Sequence, residues 1–304
     1  MLSIIIQEHS EGRPFIIRML EQIEALDLDK EVQMVTSLPY DRFLSSYNIN
    51  LRDRGFPIYL TGNVHSCGSA RNVGSKLSTG DTLLYLDCHT CFNNDSIAVL
   101  LQTLDRNKDS IVAPAIEVVD FPSCKPEGGI GYGVAFRFIN NDSFQWTWLS
   151  PDHLDRPYPV PFVCGCAFSM KRSTYNVLAR YGGFLDVHTG LSWEEEKSMR
   201  LARLGHPTLI EPRAIVGHYF KGYSKHKQWD SHSVKDNLLS KAAGFYINVF
   251  NPELYTYIDS MLKRTTGAAY ERDMKRAAEA YSWLRRKLEP FANRIDENWY
   301  LRRV

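Results

Sequence analysis

The chain has 304 residues, of which 44% are hydrophobic and 23% charged, and its 36 basic and 35 acidic side chains leave a net charge of +1. This balance is typical of a folded globular protein and argues against a protein that coats nucleic acid through bulk charge. The sequence contains no run of about 18 apolar residues, so no transmembrane helix is predicted. The first residues lack the features of a secretory leader, so we expect a cytoplasmic protein whose six cysteines are reduced thiols.

Short apolar runs alternate with helical patterns along the first third of the chain. The run at residues 2–6, Leu-Ser-Ile-Ile-Ile, is typical of a strand buried on both faces. Further strands are predicted at 32–35, 57–60, 82–86 and 111–114, and helices at 14–23, 70–77 and 97–104. We therefore predict an α/β fold in which a mostly parallel twisted sheet is flanked by helices. Ligands of such sheets bind beyond the carboxyl ends of the strands.

The second half of the chain has a different pattern. Residues 117–161 are rich in Gly, Pro and aromatic side chains, which indicates turns and β-hairpins. Residues 221–304 carry 16 basic and 10 acidic side chains, a net charge of +6, whereas the preceding 220 residues carry −5. Amphipathic helices are predicted at 235–262, interrupted at Asn251-Pro252, and at 268–290. We place a boundary near residue 221, before a helical, basic C-terminal segment.

A possible metal-binding pair follows the strand at 82–86. Asp87 and His89 are separated by one residue, so on an extended chain both side chains point the same way. A carboxylate and an imidazole suit a divalent ion such as Mn²⁺ that also holds phosphate oxygens. The alternative is that Asp87 caps a turn and His89 lies at the surface, and an isolated Asp-x-His favours this alternative.

Two later segments add candidates. His218 follows Gly217 at the end of an apolar strand, where it is either a third ligand or a lone strand-end histidine. The run Trp193-Glu194-Glu195-Glu196 precedes a helical pattern. Acidic residues at that place either interact favourably with the helix dipole or hold a sugar hydroxyl or a reacting centre. Cys88-x-x-Cys91 has the spacing of a redox or zinc pair, but no second pair matches it, because Cys164-x-Cys166 is too short for a zinc knuckle. We therefore expect buried, inert thiols.

Taken in order, these motifs resemble the catalytic domain of the polypeptide N-acetylgalactosaminyltransferases, within the GT-A glycosyltransferases. The resemblance covers roughly residues 3–250, and its matching segments are 6–11, 70–74, 86–92, 182–186, 193–195, 200–205 and 212–220. It implies a GT-A (nucleotide-diphospho-sugar transferase) fold at residues 1–220, with a nucleotide-binding half at 1–110 and a sugar and acceptor half at 111–220. Residues 221–304 would then form a lid loop, beginning near Tyr219, and the helical basic segment.

The resemblance also implies a donor site. Asp87, His89 and His218 would bind Mn²⁺ or Mg²⁺, which bridges the diphosphate of a UDP-sugar. The nucleotide and its sugar would contact His9, Glu11, Arg71, Gly165 and Trp193. The residues implied at the reacting centre are Glu194, Glu195 and Arg71. Members of the family transfer with retention of the anomeric configuration, and we expect retention here.

Three departures from the family pattern leave the sugar and the base open. Residues 35–41 lack the paired aspartates near the base, Cys164-Gly165-Cys166 replaces a Gly-Gly pair, and Trp193 is followed by Glu-Glu-Glu-Lys in place of Gly-Gly-Glu-Asn. The sequence also lacks the membrane anchor and lectin domain of the animal enzymes. We therefore expect a prokaryotic or viral cytoplasmic enzyme.

The acceptor has two candidates. The resemblance implies a Ser or Thr hydroxyl of a protein, whereas the basic C-terminal segment favours a hydroxymethylated base in DNA. Trp146 and Trp148, two residues apart, belong either to the core or to an acceptor groove. A non-catalytic module that binds sugar nucleotides is a further possibility. A nucleotidyltransferase is disfavoured, because the loop at 7–13 has one Gly instead of a Gly-rich, basic sequence.

Overall fold

The computed structural model describes residues 1–9, 11–49, 51, 54–139, 143–185, 196–220 and 242–303. Its strands are β1 (Leu2–Glu8), β2 (Lys30–Thr36), β3 (Ile58–Thr61), β4 (Thr82–Asp87), β5 (Thr90–Cys91), β6 (Ile111–Val119), β7 (Pro126–Gly131), β8 (Val134–Ile139), β9 (Ser143–Trp148), β10 (Tyr158–Pro159), β11 (Ala167–Lys171), β12 (Thr208–His218) and β13 (Leu301–Arg303). Its helices are α1 (Arg13–Glu24), α2 (Tyr40–Tyr47), α3 (Cys67–Leu77), α4 (Asn94–Arg106), α5 (Arg172–Arg180), α6 (Glu196–Arg203), α7 (Pro252–Thr266), α8 (Ala268–Leu288) and α9 (Glu297–Tyr300). A helical segment at 242–248 and a 3₁₀ helix (Glu289–Arg294) complete the set.

Strand β1 lies inside the main sheet and is buried on both faces along its apolar run. It pairs in parallel with β2 on one side and with β4 on the other. The strand order is β10-β12-β6-β11-β4-β1-β2-β3, with β5 paired to β12 and β7 to β6. The antiparallel strand β11 separates the parallel group β3-β2-β1-β4 from the parallel pair β6-β12. The predicted mostly parallel sheet flanked by helices is confirmed, and the hairpin expected within 117–161 is β8-β9.

Helix α3 packs closely against β1. Its first turn is capped by Ser66, whose side chain accepts a hydrogen bond from the backbone N–H of Ser69 at 3.0 Å. Gly74 faces Ile5 so closely that an added Cβ would lie 2.6 Å from Cγ2 of that residue. This close approach brings Arg71, one turn earlier on the helix, into the protein interior, where it is 2% exposed.

The described part of the C-terminal segment shares the main hydrophobic core. Phe245, Val249, Leu254 and Ile258 belong to the same buried cluster as β1 and α1. Helix α7 begins at the predicted break, because the side chain of Asn251 accepts a hydrogen bond from the backbone N–H of Leu254 at 3.0 Å. β13 pairs in parallel with β8. Residues 235–241 of the predicted first helix lie outside the described residues, and the boundary near 221 stays a prediction.

Two fully buried arginines on α6 join the sheet domain to this segment. Arg203 donates to Oε1 of Glu297 at 2.7 Å and to the carbonyl oxygen of Asn248 at 2.7 Å. Arg200 donates to Oε1 of Glu196 at 2.6 Å and to the carbonyl oxygen of Gly183 at 2.7 Å. The other carboxylate oxygen of Glu196 accepts from Asn248 at 3.2 Å. We refer to Glu196, Arg200, Arg203, Asn248 and Glu297 as the arginine cluster.

The expectation of reduced thiols is wrong for two of the cysteines. Cys91 and Cys124 form a disulfide, whereas Cys67, Cys88, Cys164 and Cys166 are free thiols. Cys91 lies in β5, which pairs with the end of β12, and β12 pairs with β6 just before the turn that carries Cys124. The pairing thus depends on sheet contacts between segments 33 residues apart. Among the described residues, every helix is too short or too polar to span a bilayer.

Candidate metal centre

Asp87 is the last residue of β4, and His89 lies in the turn that follows it. The backbone N–H of Asp87 donates to the carbonyl oxygen of Cys166 at 2.9 Å, and its carbonyl oxygen accepts from the Thr90 hydroxyl at 2.9 Å. These bonds shape a tight turn between β4 and β5. Because Thr90 of β5 is paired with His218 of β12, the two histidines become neighbours. Their ring centroids are 4.7 Å apart.

The three side chains predicted as metal ligands converge. One carboxylate oxygen of Asp87 and one ring nitrogen from each of His89 and His218 lie within 4.8 Å of one another. Nε2 of His218 is 3.4 Å from Oδ2 of Asp87. Both histidines are buried and Asp87 is partly buried. One carboxylate and two imidazoles are a donor set that suits Mn²⁺, so the residues present fit a divalent ion.

Asp87 is surrounded by donors and cations. Gln7, its register partner on β1, donates to its Oδ1, and the Arg71 guanidinium lies 3.8 Å from the same oxygen. Burial raises the pKa of Asp87, but hydrogen bonding to His218 and the charges of His89, His218 and Arg71 outweigh it and hold this pKa well below its usual range. The carboxylate is therefore ionised at neutral pH, the form that binds a cation.

Arg71 and Gly165, predicted in the donor site, contact each other. The Arg71 guanidinium donates to the carbonyl oxygen of Gly165 at 2.9 Å and lies over the ring of Phe168, 5.4 Å from its centroid. These contacts fix Arg71 beside Asp87. The thiols of Cys164 and Cys166, on either side of Gly165, are buried and 3.4 Å apart.

The loop after β1 contributes Glu11 and His9, which differ in exposure. The side chain of Glu11 is 4% exposed, and its Oε1 lies 3.4 Å from Nδ1 of His89. His9 is exposed. The structure thus places Glu11 against a candidate metal ligand, a neighbour that the sequence did not indicate. The part of either residue in nucleotide binding stays a prediction.

Sequence reasoning missed two residues of this site. Gln7 is detectable in principle, since the last residues of adjacent parallel strands lie side by side and Gln7 pairs with Asp87. Glu8 is 2% exposed and accepts a hydrogen bond from the Tyr47 hydroxyl at 3.0 Å. Tyr47 lies on α2, a helix that the sequence analysis did not predict, so nothing in the sequence pointed to that contact.

The remaining predicted site residues either lie outside the described residues or pack beside His218. Trp193, Glu194 and Glu195 lie outside the described residues, and so does the predicted lid loop beyond Phe220. Phe220 packs edge-on against His218, with ring centroids 4.2 Å apart, and Trp148 packs edge-on against Phe220 at 6.1 Å. Trp148 therefore supports the strand end that carries His218. The side chain of Trp146 lies outside the described residues.

The fold defines the class of protein. A structure of GalNAc-T7 with UDP, GalNAc and Mn²⁺ superposes with a TM-score of 0.64 at 15% identity, covering 95% of this chain and 57% of that one. This likeness shows the predicted GT-A type of fold. Residues 3–178 match the family described as Glycosyl transferase family 2, and because this is more than half of the chain, the protein belongs to that family.

Curated relatives point to the same group. Polypeptide N-acetylgalactosaminyltransferase 11 of Xenopus tropicalis is 26% identical over 209 residues, which are 66% of this chain and 34% of that protein. Polypeptide N-acetylgalactosaminyltransferase 4 of Mus musculus is 25% identical over 319 aligned positions, covering 99% of this chain and 51% of the relative. The chain thus spans about a third to a half of the length of these relatives. The resemblance to the catalytic domain of the polypeptide N-acetylgalactosaminyltransferases is confirmed.

Proposed function

We propose that the protein is a metal-dependent glycosyltransferase that moves a hexose or N-acetylhexosamine from a UDP-sugar to a hydroxyl acceptor with retention. The observation that carries this proposal is the convergence of Asp87, His89 and His218 at the carboxyl end of β4 and the end of β12. Such sheets bind nucleotides at this edge. The solved structure of GalNAc-T7 with UDP, GalNAc and Mn²⁺ supports the choice of donor and metal.

In this proposal Asp87, His89 and His218 hold Mn²⁺ or Mg²⁺. When bound, the ion acts as a Lewis acid for the diphosphate and stabilises the negative charge of the departing UDP. Arg71 is held by its hydrogen bond to the Gly165 carbonyl and, with the two histidines, favours the charged form of Asp87, from which it lies 3.8 Å. Glu194 and Glu195 remain our proposed contacts to the sugar hydroxyls, with Trp193 beside them.

Nucleotide release tests this function. Purified protein is incubated with Mn²⁺ and a panel of UDP- and GDP-sugars, with and without acceptor, and the freed nucleotide is measured. We expect UDP release that Asp87→Ala, His89→Ala and His218→Ala abolish, because each removes one of the ligands. His206→Ala, at a histidine that precedes β12 and so lies at the opposite end of that strand from His218, is the matched control and should keep full turnover.

Near-normal turnover in all three ligand variants would refute the proposal. Tight binding of UDP-sugars with no nucleotide release under any condition would instead identify the non-catalytic sugar-nucleotide-binding module. The two outcomes are distinguishable because nucleotide release measures turnover, whereas a calorimetric titration with the UDP-sugar measures binding.

The preferred acceptor is a protein Ser or Thr hydroxyl, supported by the names of the curated relatives. A hydroxymethylated base in DNA is the second candidate, favoured by the surface of α8. That helix exposes Trp283 together with Lys275, Arg276, Arg286 and Lys287. Basic side chains interleaved with an aromatic ring are a pattern that contacts polyanions.

A gel shift with duplex DNA across a salt series separates the two acceptors. A DNA-modifying enzyme should bind the duplex with an affinity that falls steeply as salt rises, because it displaces counterions from the phosphates. Absence of binding at low salt, together with sugar transfer to Ser- and Thr-containing peptides, would identify the protein acceptor.

A further inference from the structure

The carboxylate of Glu11 lies behind one of the candidate metal ligands. Its Oε1 is 3.4 Å from Nδ1 of His89, and its side chain is shielded from solvent. The group of converging ligand atoms contains Asp87, His89 and His218 but not Glu11. Glu11 therefore contacts an imidazole that takes part in the group, through Nδ1 of that ring, and is not itself a member of the group.

Glu11 is also held in place by the end of β1. Its Oε2 accepts a hydrogen bond from the backbone N–H of His9, and its own backbone N–H donates to Oε1 of Glu8 at 3.0 Å. The buried Glu8 carboxylate in turn accepts from the hydroxyls of Thr36 on β2 and Tyr47 on α2. Two strands and a helix thus fix the loop, which makes Glu11 a rigid neighbour of His89.

We propose that Glu11 is a positioning residue that orients the His89 imidazole for metal binding. An imidazole that binds a metal through one ring nitrogen carries its proton on the other, and a carboxylate facing that N–H fixes both the tautomer and the ring angle. With Glu11 at Nδ1, the proton stays there and Nε2 is the nitrogen left for the cation. This inference rests on the proposed metal site and gives Glu11 a different task from the nucleotide contact that the family resemblance implies.

Direct Mn²⁺ binding to the full chain tests the inference without turnover. Free Mn²⁺ is measured by electron paramagnetic resonance during titration, in the absence of nucleotide. We expect Glu11→Ala to weaken Mn²⁺ binding about 10- to 100-fold, the usual effect of removing such a partner. Glu11→Gln should lose less, because its single amide oxygen can face Nδ1–H, although the contact from the backbone N–H of His9 is then lost. Glu21→Ala, which removes an exposed carboxylate on α1, is the matched control and should bind like the parent protein.

The tautomer of His89 tells whether Mn²⁺ binding is lost because the protein misfolds or because the imidazole is no longer oriented. In protein with ¹⁵N-labelled histidine, the parent should show the Nδ1–H tautomer of His89, and Glu11→Gln, whose backbone N–H still donates to Glu8, should keep it when its one amide oxygen faces the imidazole. A mixture of tautomers in the parent protein would overturn the inference, even if Glu11→Ala folds poorly.

Two further outcomes are decisive. If Glu11→Ala keeps parental Mn²⁺ affinity but loses UDP affinity, Glu11 belongs to the nucleotide pocket and the inference is wrong. Asp87→Ala shows which proposal has failed. Parental Mn²⁺ affinity in both variants rejects the metal site as a whole, whereas loss of binding in Asp87→Ala alone rejects only the task of Glu11.

Discussion

Two groups of buried charged and polar side chains in this protein differ in how their charges are paired. In the arginine cluster, the guanidinium of Arg203 meets Glu297 and a backbone carbonyl, and Glu297 also accepts from the backbone N–H groups of Phe250 and Asn251. At the metal centre, Asp87, His89 and His218 direct their ligand atoms towards one point. The charged groups of the arginine cluster pair with one another, although Nε of both arginines and Oδ1 of Asn248 have no hydrogen-bond partner among the described residues, whereas the metal centre is arranged around a further partner.

This difference in pairing indicates which buried charged residues stabilise the fold and which ones bind a ligand. Removing one member of an internally paired cluster leaves an unpaired buried charge, which is strongly destabilising. Removing a member of a converging ligand set mainly removes cation binding, because functional sites are not optimised for stability. Variants in the two groups should therefore separate loss of stability from loss of function.

The largest effect is expected at Asp87. Asp87→Asn keeps a hydrogen-bond acceptor for Gln7 but loses the negative charge, so Mn²⁺ affinity should fall by about two orders of magnitude or more. The variant should stay folded but melt at a lower temperature than the parent protein, because the lowered pKa of Asp87 means that its charged form stabilises the fold. Calorimetric titration with Mn²⁺ and a melting curve on the same sample check both statements, and a parental Mn²⁺ affinity would contradict the assignment.

The reverse pattern is expected in the arginine cluster. Arg203→Met strands the buried Glu297 carboxylate and should lower the free energy of unfolding by about 3–5 kcal/mol. Urea unfolding of this variant measures the loss, and Arg286→Met, at an exposed arginine on α8, serves as the control. A folded Arg203→Met protein should still bind Mn²⁺. Full stability in this variant would show that the cluster does not stabilise the join between α6 and the C-terminal segment.

The sequence was informative wherever local pattern decides structure. The β-branched run at Ile4–Ile6 predicted a buried strand, Asn251-Pro252 predicted a break in the helical pattern, at which α7 begins, and the Asp-x-His pair after a strand marked a site. It was uninformative where contacts between distant segments decide. Glu8 accepts a hydrogen bond from Tyr47 of α2, and no pattern showed that Arg203 would lose all exposure against a segment about 45 to 95 residues away.

The disulfide is the clearest case of such a contact. Cys91 and Cys124 meet only because β5, β12 and β6 are adjacent in the sheet, and cysteine spacing alone carried no such information. It encloses a loop of 33 residues, so its reduction should remove about 3 kcal/mol of stability, mainly by freeing the unfolded chain.

Urea unfolding with and without a dithiol reductant measures this contribution. The Cys91→Ser/Cys124→Ser variant should match the reduced parent protein and show no further response to reductant. Equal stability of oxidised and reduced parent protein would contradict the prediction. Because Cys91 lies two residues after His89, Mn²⁺ affinity measured in both states also tells whether the bond affects the metal centre.

The smallest effect is expected at Glu211, a buried carboxylate that pairs with Arg213. It lies on β12, the strand that also carries His218. Burial raises the pKa of Glu211, but hydrogen bonds from Arg213 and the Thr103 hydroxyl outweigh it, so its pKa lies below the usual range. A folded-state pKa below that of the unfolded chain gives stability that is present above the unfolded pKa and is lost as pH falls through the folded one. Glu211→Gln should therefore cost on the order of 1 kcal/mol at pH 7 and little in strong acid. Urea unfolding at pH 7 and in strong acid measures this difference, with Glu127→Gln, at an exposed glutamate, as the control. An equal loss of unfolding free energy at both pH values would mean that Glu211 acts through packing and not through its charge.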